Sequence, residues 1–306
     1  MTSDKRDAWG YIDRSGEYII PPQFDDAWPF HEGLARVKTG YLRGFIDKDN
    51  QFVVKPEYDD AGDFHEGLAW VMRDGLYGYV NNSGNIDIPL SYEKAFDFHR
   101  GVAMVISNSK YRFINSTGEF IPGIEYDYVG EWHDGLAWAQ TGSDYCYINK
   151  QGEIVIAGKF SLATNFENGV ATVTINGKSG CIDTKGEFLI EPIYDTLSEL
   201  KRSPAYEELF PEFPVIDPLA PERFHDGLAI KQDGKKYGYI DPSGNFVIKP
   251  TFVEAGDFHE GLAKVRATAR GKWSYIKTDG SPAFKSKFKA AEDFHDGIAL
   301  VMDEEN

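Results

Sequence analysis

Residues 64–69 read FHEGLA, and the pattern returns as FHEGLA at 30–35, FHRGVA at 98–103, WHDGLA at 132–137, FENGVA at 166–171, FHDGLA at 224–229, FHEGLA at 258–263 and FHDGIA at 294–299. The eight copies stand 34 residues apart except for one step of 58 and one of 36, so a single insertion of 24 residues interrupts the sixth unit. A fixed period of this length marks an array in which each unit buries its apolar face against its neighbours. A second block precedes each copy: GYID at 10–13, GFID at 44–47, GYVN at 78–81, RFIN at 112–115, CYIN at 146–149, GCID at 180–183, GYID at 238–241 and SYIK at 274–277. Three residues beyond it stands Gly16, Asn50, Gly84, Gly118, Gly152, Gly186, Gly244 or Gly280. That spacing predicts a tight turn in which an Asx side chain bonds the turn backbone and the last position takes positive φ, where Asn is the usual substitute for Gly. Short β-branched stretches with an internal Pro follow, such as FVVKPEY (52–58) and FVIKPTF (246–252).

Each unit therefore reads as about three short strands with almost no helix. The Gly of each x-Gly turn predicts positive φ, and the Ala two places later predicts backbones packed too closely for a larger side chain. The fold class is all-β: a tandem array of eight β-hairpin repeats of about 34 residues. They lie near 9–40, 43–74, 77–108, 111–142, 145–176, 179–234, 237–268 and 273–302, with the insertion at 198–223 and the whole of 1–306 read as one repeat domain. The chain begins on a GYID strand and ends on IALVM (298–302), whereas inside the array each LAxV strand runs straight into the next GYID strand. Two arrangements satisfy this: an open β-solenoid, or a closed propeller-like toroid in which the N- and C-terminal strands pair.

Composition narrows function. The 49 acidic against 32 basic residues leave a formal charge of -17, which would repel a phosphate backbone or an anionic lipid surface, so neither nucleic acid nor membrane is expected as a partner. No apolar run reaches the roughly 18 residues of a membrane span and MTSDKRDAW carries no signal-peptide pattern, which gives a cytoplasmic expectation. Two cysteines provide neither a disulfide framework nor a zinc-ligand set.

The sequence WGYIDRSGEYIIPPQFDDA (9–27) followed by FHEGLARV (30–37) resembles the WG-repeat family, also called KWG repeats, over about residues 9–302. The literal Trp-Gly pair occurs only at Trp9-Gly10; Tyr77-Gly78 and Tyr237-Gly238 are near versions, and Arg112, Cys146 and Ser274 stand in the Gly place elsewhere. The resemblance implies a bacterial, β-rich interaction module with no catalytic residues to carry over.

All seven histidines fall in one column, with Glu167 in the eighth place. Ligands a whole repeat apart seldom converge on a metal, so the column is read as bracing its turns. Carboxylates form three further columns, read mainly as solvated turns and otherwise as an acidic rim that steers a basic partner. Three aromatic columns, including Phe30, Phe64, Phe98 and Trp132 of the FHEGLA motif, are read as core. Because an active site is built once and these groups recur, no catalytic residue, metal ligand or cofactor is assigned. Binding is expected where repeats disagree. The place between Ala and Val of the LAxV strand holds Arg36, Trp70, Met104, Trp138, Thr172, Ile230, Lys264 and Leu300, so three successive repeats present Trp70, Met104 and Trp138, with Trp28 and Phe96 varying nearby. Such a patch suits an interface hot spot, while large residues filling a local core is the competing reading. The expected function is a non-catalytic scaffold that binds a protein, in a specialised form an inhibitor or immunity-type protein directed at a basic partner. A carbohydrate-binding repeat protein is the alternative. In the insertion, Ser203-Pro204 with Glu207 and Glu208 predicts one helical turn.

Overall fold

The computed structural model describes residues 7–210 and 224–304, so 211–223 of the insertion lie outside the described residues. The described chain falls into two compact units, one running up to Asp63 and resuming from 224, the other from Phe64 to 210. Both are built from the same antiparallel sheet. In the second unit, Lys94–Ala95, Val102–Ser107, Lys110–Asn115 and Phe120–Tyr126 pair in that order, and Tyr128–Val129, Ala137–Thr141, Asp144–Ile148 and Ile154–Phe160 repeat the arrangement. In the first, Asp26–His31, Leu34–Thr39, Leu42–Asp47 and Phe52–Tyr58 do the same. Six of the eight described sheets thus have four strands where three were expected; the two that hold Ala229–Asp233 and Leu262–Arg266 have three. The additional one is commonly two residues long, too short for any alternation to register.

Each sheet straddles the sequence repeat, because an LAxV strand pairs with the GYID strand of the following unit, as Met104 opposite Phe113 shows. The chain ends obey the same rule. Strand Asp7–Asp13 lies between Tyr18–Phe24 and Ile298–Glu304, with Trp9 opposite Met302 and Tyr11 opposite Leu300. The last strand takes the place that an LAxV strand takes elsewhere, which is the pairing the closed alternative requires, and it covers the backbone of the first strand.

Two turns set the register. In His65-Glu66-Gly67-Leu68, the His65 amide donates to Leu68 O at 2.9 Å and the Leu68 amide returns to His65 O at 3.2 Å. Glu66 (φ 56°) and Gly67 (φ 81°) are both left-handed, which makes a type I′ turn, whose twist matches that of the strands. The sequence reading placed positive φ on the Gly alone, yet the residue before it shares it in all eight copies, including Arg100. The second turn follows the Asx expectation: Asn115 Oδ1 accepts from the amides of Thr117 and Glu119, both at 3.0 Å, and Asn50 takes φ 60°.

The Ala of each LAxV strand is at most 3% exposed, which is where neighbouring backbones come close. Buried tyrosines tie the strands together: Tyr79 donates to Phe96 O at 2.7 Å, Tyr147 to Thr164 O at 2.8 Å and Tyr239 to Gly256 O at 2.7 Å. Burial pushes these phenols well above the usual tyrosine range. In the GYID strand a Cβ on Gly44 would stand 2.5 Å from Val54 O, so a side chain there needs a change opposite. Where Arg112 and Cys146 replace that Gly, the facing strands carry Gly123 and Gly158.

The described half of the insertion forms two short helices, Leu197–Lys201 and Pro204–Leu209, capped by Thr196 and Ser203. The second is the turn expected from Ser-Pro; the first starts from Thr196 Oγ1 accepting the Glu199 amide at 3.1 Å. They seat the fully buried Leu200 on Val170, Cys181 and Ile190, with Tyr206, Leu209 and Phe210 packed around it. No described helix is long and apolar enough to cross a membrane.

Candidate partner-binding groove

The variable residue of each LAxV strand stands directly across from the first aromatic column: Arg36 opposite Phe45, Trp70 opposite Tyr79, Met104 opposite Phe113, Trp138 opposite Tyr147 and Lys264 opposite Tyr275. On its other side the ladder joins it to the second variable column. Phe96 donates its amide to Met104 O at 3.1 Å, Gly130 to Trp138 O at 2.8 Å and Gly256 to Lys264 O at 2.9 Å. The two columns compensate in size. A Cβ on Gly130 would lie 2.3 Å from Trp138 Nε1, and one on Gly256 would lie 2.9 Å from Lys264 Cγ. Trp138 and Lys264 therefore lie over glycines of the other column, whereas Arg36 lies flat on the Trp28 ring.

At Phe96 the surface opens. Phe96, Met104, Tyr111, Glu131, Trp132 and Trp138 line a groove of about 640 Å³. Phe96, Met104 and Trp132 also line an adjoining depression of about 260 Å³ that reaches His65, His99 and Lys150. Met104 is only 7% exposed and packs with Phe113, Tyr126 and Ala137, so it forms the floor. Trp138 is half-buried, its ring 5.6 Å from that of Tyr145. Exposed Lys94 holds its ammonium 5.2 Å from the Phe96 ring centroid. Asn165, at the far wall, has a buried Oδ1 that accepts no hydrogen bond among the described residues.

Of the five residues singled out in the sequence, the structure brings together Phe96, Met104 and Trp138. Trp70 lies one repeat earlier, 5.7 Å from the Tyr77 ring and packed on the cluster that contains Tyr79. Trp28 belongs to the other unit, beneath the guanidinium of Arg36 at 4.0 Å. Trp132, Tyr111, Lys94 and Asn165 are among the groove residues that the column comparison does not single out. Trp132 was assigned to the core, although it is the one Trp in a column otherwise filled by Phe, and that departure was the available signal.

The repeated polar columns link neighbouring repeats. His31 Nε2 stands 3.8 Å from Asp63, His65 3.7 Å from Asp97, His225 3.9 Å from Asp257 and His259 4.0 Å from Asp293. The rings of His225, His259 and His295 follow one another at 5.5 and 5.3 Å. In the x-Gly turns the acid accepts amides of the next turn: Glu66 from Gly101 at 2.6 Å, Asp134 from Gly169 at 2.8 Å and Asp226 from Gly261 at 2.7 Å. A third column closes the hairpins; Asp127 accepts from Gly142 at 2.7 Å, and its bond from Lys110 together with that amide holds its carboxyl below the usual range. Among the described residues, no three His, Cys, Asp or Glu side chains are placed to hold a metal ion. Burial pushes the thiols of Cys146 and Cys181 upward, away from the thiolate a nucleophile needs.

The model of the WG containing repeat matches residues 9–42, 44–77, 77–111, 111–145, 145–178, 180–201, 237–268 and 273–306, so the chain belongs to the WG-repeat family. None of the curated proteins compared with it matches. Similar solved structures include a eukaryotic initiation factor (9% identity over 94% of this chain and 97% of that one, TM-score 0.42). They also include Hsv2 of Kluyveromyces lactis (9%, 90% and 95%, TM-score 0.32) and a streptogramin B lyase (12%, 97% and 98%, TM-score 0.31). None of these likenesses bears on what this chain binds.

Proposed function

We propose that this repeat scaffold is non-catalytic and captures a protein partner on the groove formed by Phe96, Met104, Trp132 and Trp138. One observation carries the reading: three of the variable residues, Phe96, Met104 and Trp138, meet on one open, aromatic-lined surface, while the repeated polar groups are engaged in joining repeats. Clustered Trp, Phe and Met with a charged rim is the composition of an interface hot spot. The charge of -17 favours a basic partner in the cytoplasm, and an inhibitor or immunity-type protein is the form of that function best suited to an acidic scaffold. A photo-crosslinking residue at position 111 should form an adduct with the partner that one at position 41, on an exposed turn of the other unit, does not. Adducts from both positions, or from neither, would refute the groove. Affinity for a basic partner should fall steeply with salt.

Carbohydrate binding is the second reading, favoured by the unpartnered Asn165 Oδ1 beside the two tryptophans, since sugars use aromatic faces together with a few fixed polar groups. A glycan screen followed by tryptophan fluorescence separates the two.

A further inference from the structure

Two repeats place a cation of their own at the variable position. In the first, the Arg36 guanidinium lies 4.0 Å over the Trp28 ring, its Nε stands 3.3 Å from Asp63 Oδ1, and its Nη1 donates to Ala61 O. The side chain is only 13% exposed, so the position accommodates a largely buried charge. The parts are a cation from the first variable column, a ring from the second, and a carboxylate from the following repeat. The seventh repeat keeps the cation and the carboxylates but has Gly256 in the ring's place: Lys264 reaches Glu292 at 2.8 Å and Asp293, the counterpart of Asp63, at 3.6 Å.

The third repeat has the ring and the carboxylate without the cation. Phe96 occupies the place of Trp28 and Glu131 that of Asp63, but Met104 stands where Arg36 would, and here the surface opens into the groove. Glu131 is 85% exposed at its side chain, and its one ion pair among the described residues is with the imidazole of His133, at 3.5 Å. Lys94, extended over Phe96, shows that the ring face already attracts a cation.

We infer that the groove is a receptor for an arginine side chain of the partner, whose guanidinium stacks on Phe96 and pairs with Glu131 as Arg36 does with Trp28 and Asp63. This rests on the groove being the binding face. Arginine fits better than lysine because a planar guanidinium both stacks on a ring and presents a fork to a carboxylate. The intact protein, ¹⁵N-labelled, is titrated with N-acetyl-arginine methylamide and with its uncharged isostere N-acetyl-citrulline methylamide, following the indole N–H signals of Trp132 and Trp138. The arginine probe should give saturable shifts that the citrulline probe does not. Those shifts should weaken at least about tenfold in Glu131→Gln and vanish in Met104→Arg, where the chain fills the slot itself. Met104→Arg should also unfold at or above the wild-type temperature, and adding Glu131→Gln should reverse that gain. Equal shifts from both probes, no saturable shift, or a Met104→Arg destabilisation that ignores Glu131 would each overturn the slot. Crosslinking from position 111 with no arginine response refutes the slot and leaves the groove standing; no crosslinking from position 111 refutes the groove and the slot with it.

Discussion

Gly130→Ala tests whether the seat of Trp138 depends on the missing side chain across the ladder. The new Cβ would lie 2.3 Å from Trp138 Nε1 and 2.4 Å from Cε2, far inside contact distance, so the indole must leave its place beside Tyr145. Gly130 does not take positive φ, so alanine meets no backbone strain there. Overpacking of this kind costs about 1–3 kcal/mol. Against it stands a gain of roughly 0.5–1 kcal/mol for alanine over glycine, because alanine loses less backbone freedom on folding. Central values of the two leave an expected net loss of about 1 kcal/mol. In a Trp138→Ala background the clash is gone and only the gain remains, so the same change should stabilise by about 0.5 kcal/mol or more. Urea midpoints of the wild type, both single variants and the double variant give the coupling directly. The sign should reverse between backgrounds, and the wild-type background should also show red-shifted tryptophan emission. An equal loss with and without Trp138 would refute size compensation between the two variable columns.

Tyr79→Phe removes the donor to Phe96 O and leaves a partly buried carbonyl unbonded; a loss of about 1–2 kcal/mol in urea unfolding is expected, with weaker partner binding because the backbone of Phe96 loosens. Hydrogen bonds from Ser15 and the turn amides hold the Asp13 carboxyl below the usual range, so its contribution is present above the unfolded pKa and is lost as pH falls through the lower folded value. Asp13→Asn, the residue found at 81, 115 and 149, should keep neutral-pH stability while flattening the acid limb of a stability–pH curve; an unchanged limb would count against this. Leu200→Ala should cost about 2–5 kcal/mol, because it empties the contact between the insertion helices and the sheet; a loss below 1 kcal/mol, read from the same urea curves, would show that the helices do not depend on it. Iodoacetamide should modify Cys181 far more slowly at pH 7 than after unfolding, as its burial and raised pKa require, and mass spectrometry of timed samples reads this out.

Most of the fold could be read from the sequence because a repeat states each constraint eight times. The Asx turns, the x-Gly hairpins, the buried alanines and the complementary chain ends all follow from column composition, since Asn or Asp before a turn and Gly after it have few structural uses. The short additional strand escaped because Lys94–Ala95 and its counterparts carry too few residues for alternation, and they pair only through the long-range ladder. The left-handed residue before each turn Gly escaped because Glu66 and Arg100 are unusual choices for such a backbone. The site was legible only in part. Met104 and Trp138 stood out by position, but Trp70 was grouped with them from its column alone, and a column does not say which neighbour fills the space across the ladder. Trp132 was hidden by the same logic: its column is core in the other repeats, and the larger ring extends past the core to the groove wall.

The compensation between the two variable columns explains why this scaffold can change its surface without changing its fold. The backbone is fixed by turns, alanines and the tyrosine bonds, and the last reach the second variable column only at its backbone carbonyls, whatever the side chain there. A variable residue has to agree only with the residue joined to it across the ladder and with one carboxylate from the next repeat. Trp138 agrees with its neighbour through Gly130, Lys264 through Gly256 and Glu292, and Arg36 through the flat ring of Trp28 and Asp63. The third repeat satisfies the space without satisfying the charge, because Met104 fills the floor and leaves Phe96 and Glu131 with no cation from the LAxV column. An imbalance confined to one repeat is inexpensive in an array whose remaining joints are complete, and it leaves unused affinity on a surface a partner can reach. Restoring the cation from within, by Met104→Arg, should therefore raise stability and abolish capture in a single substitution; a variant that bound normally while gaining stability would separate the two and refute the link.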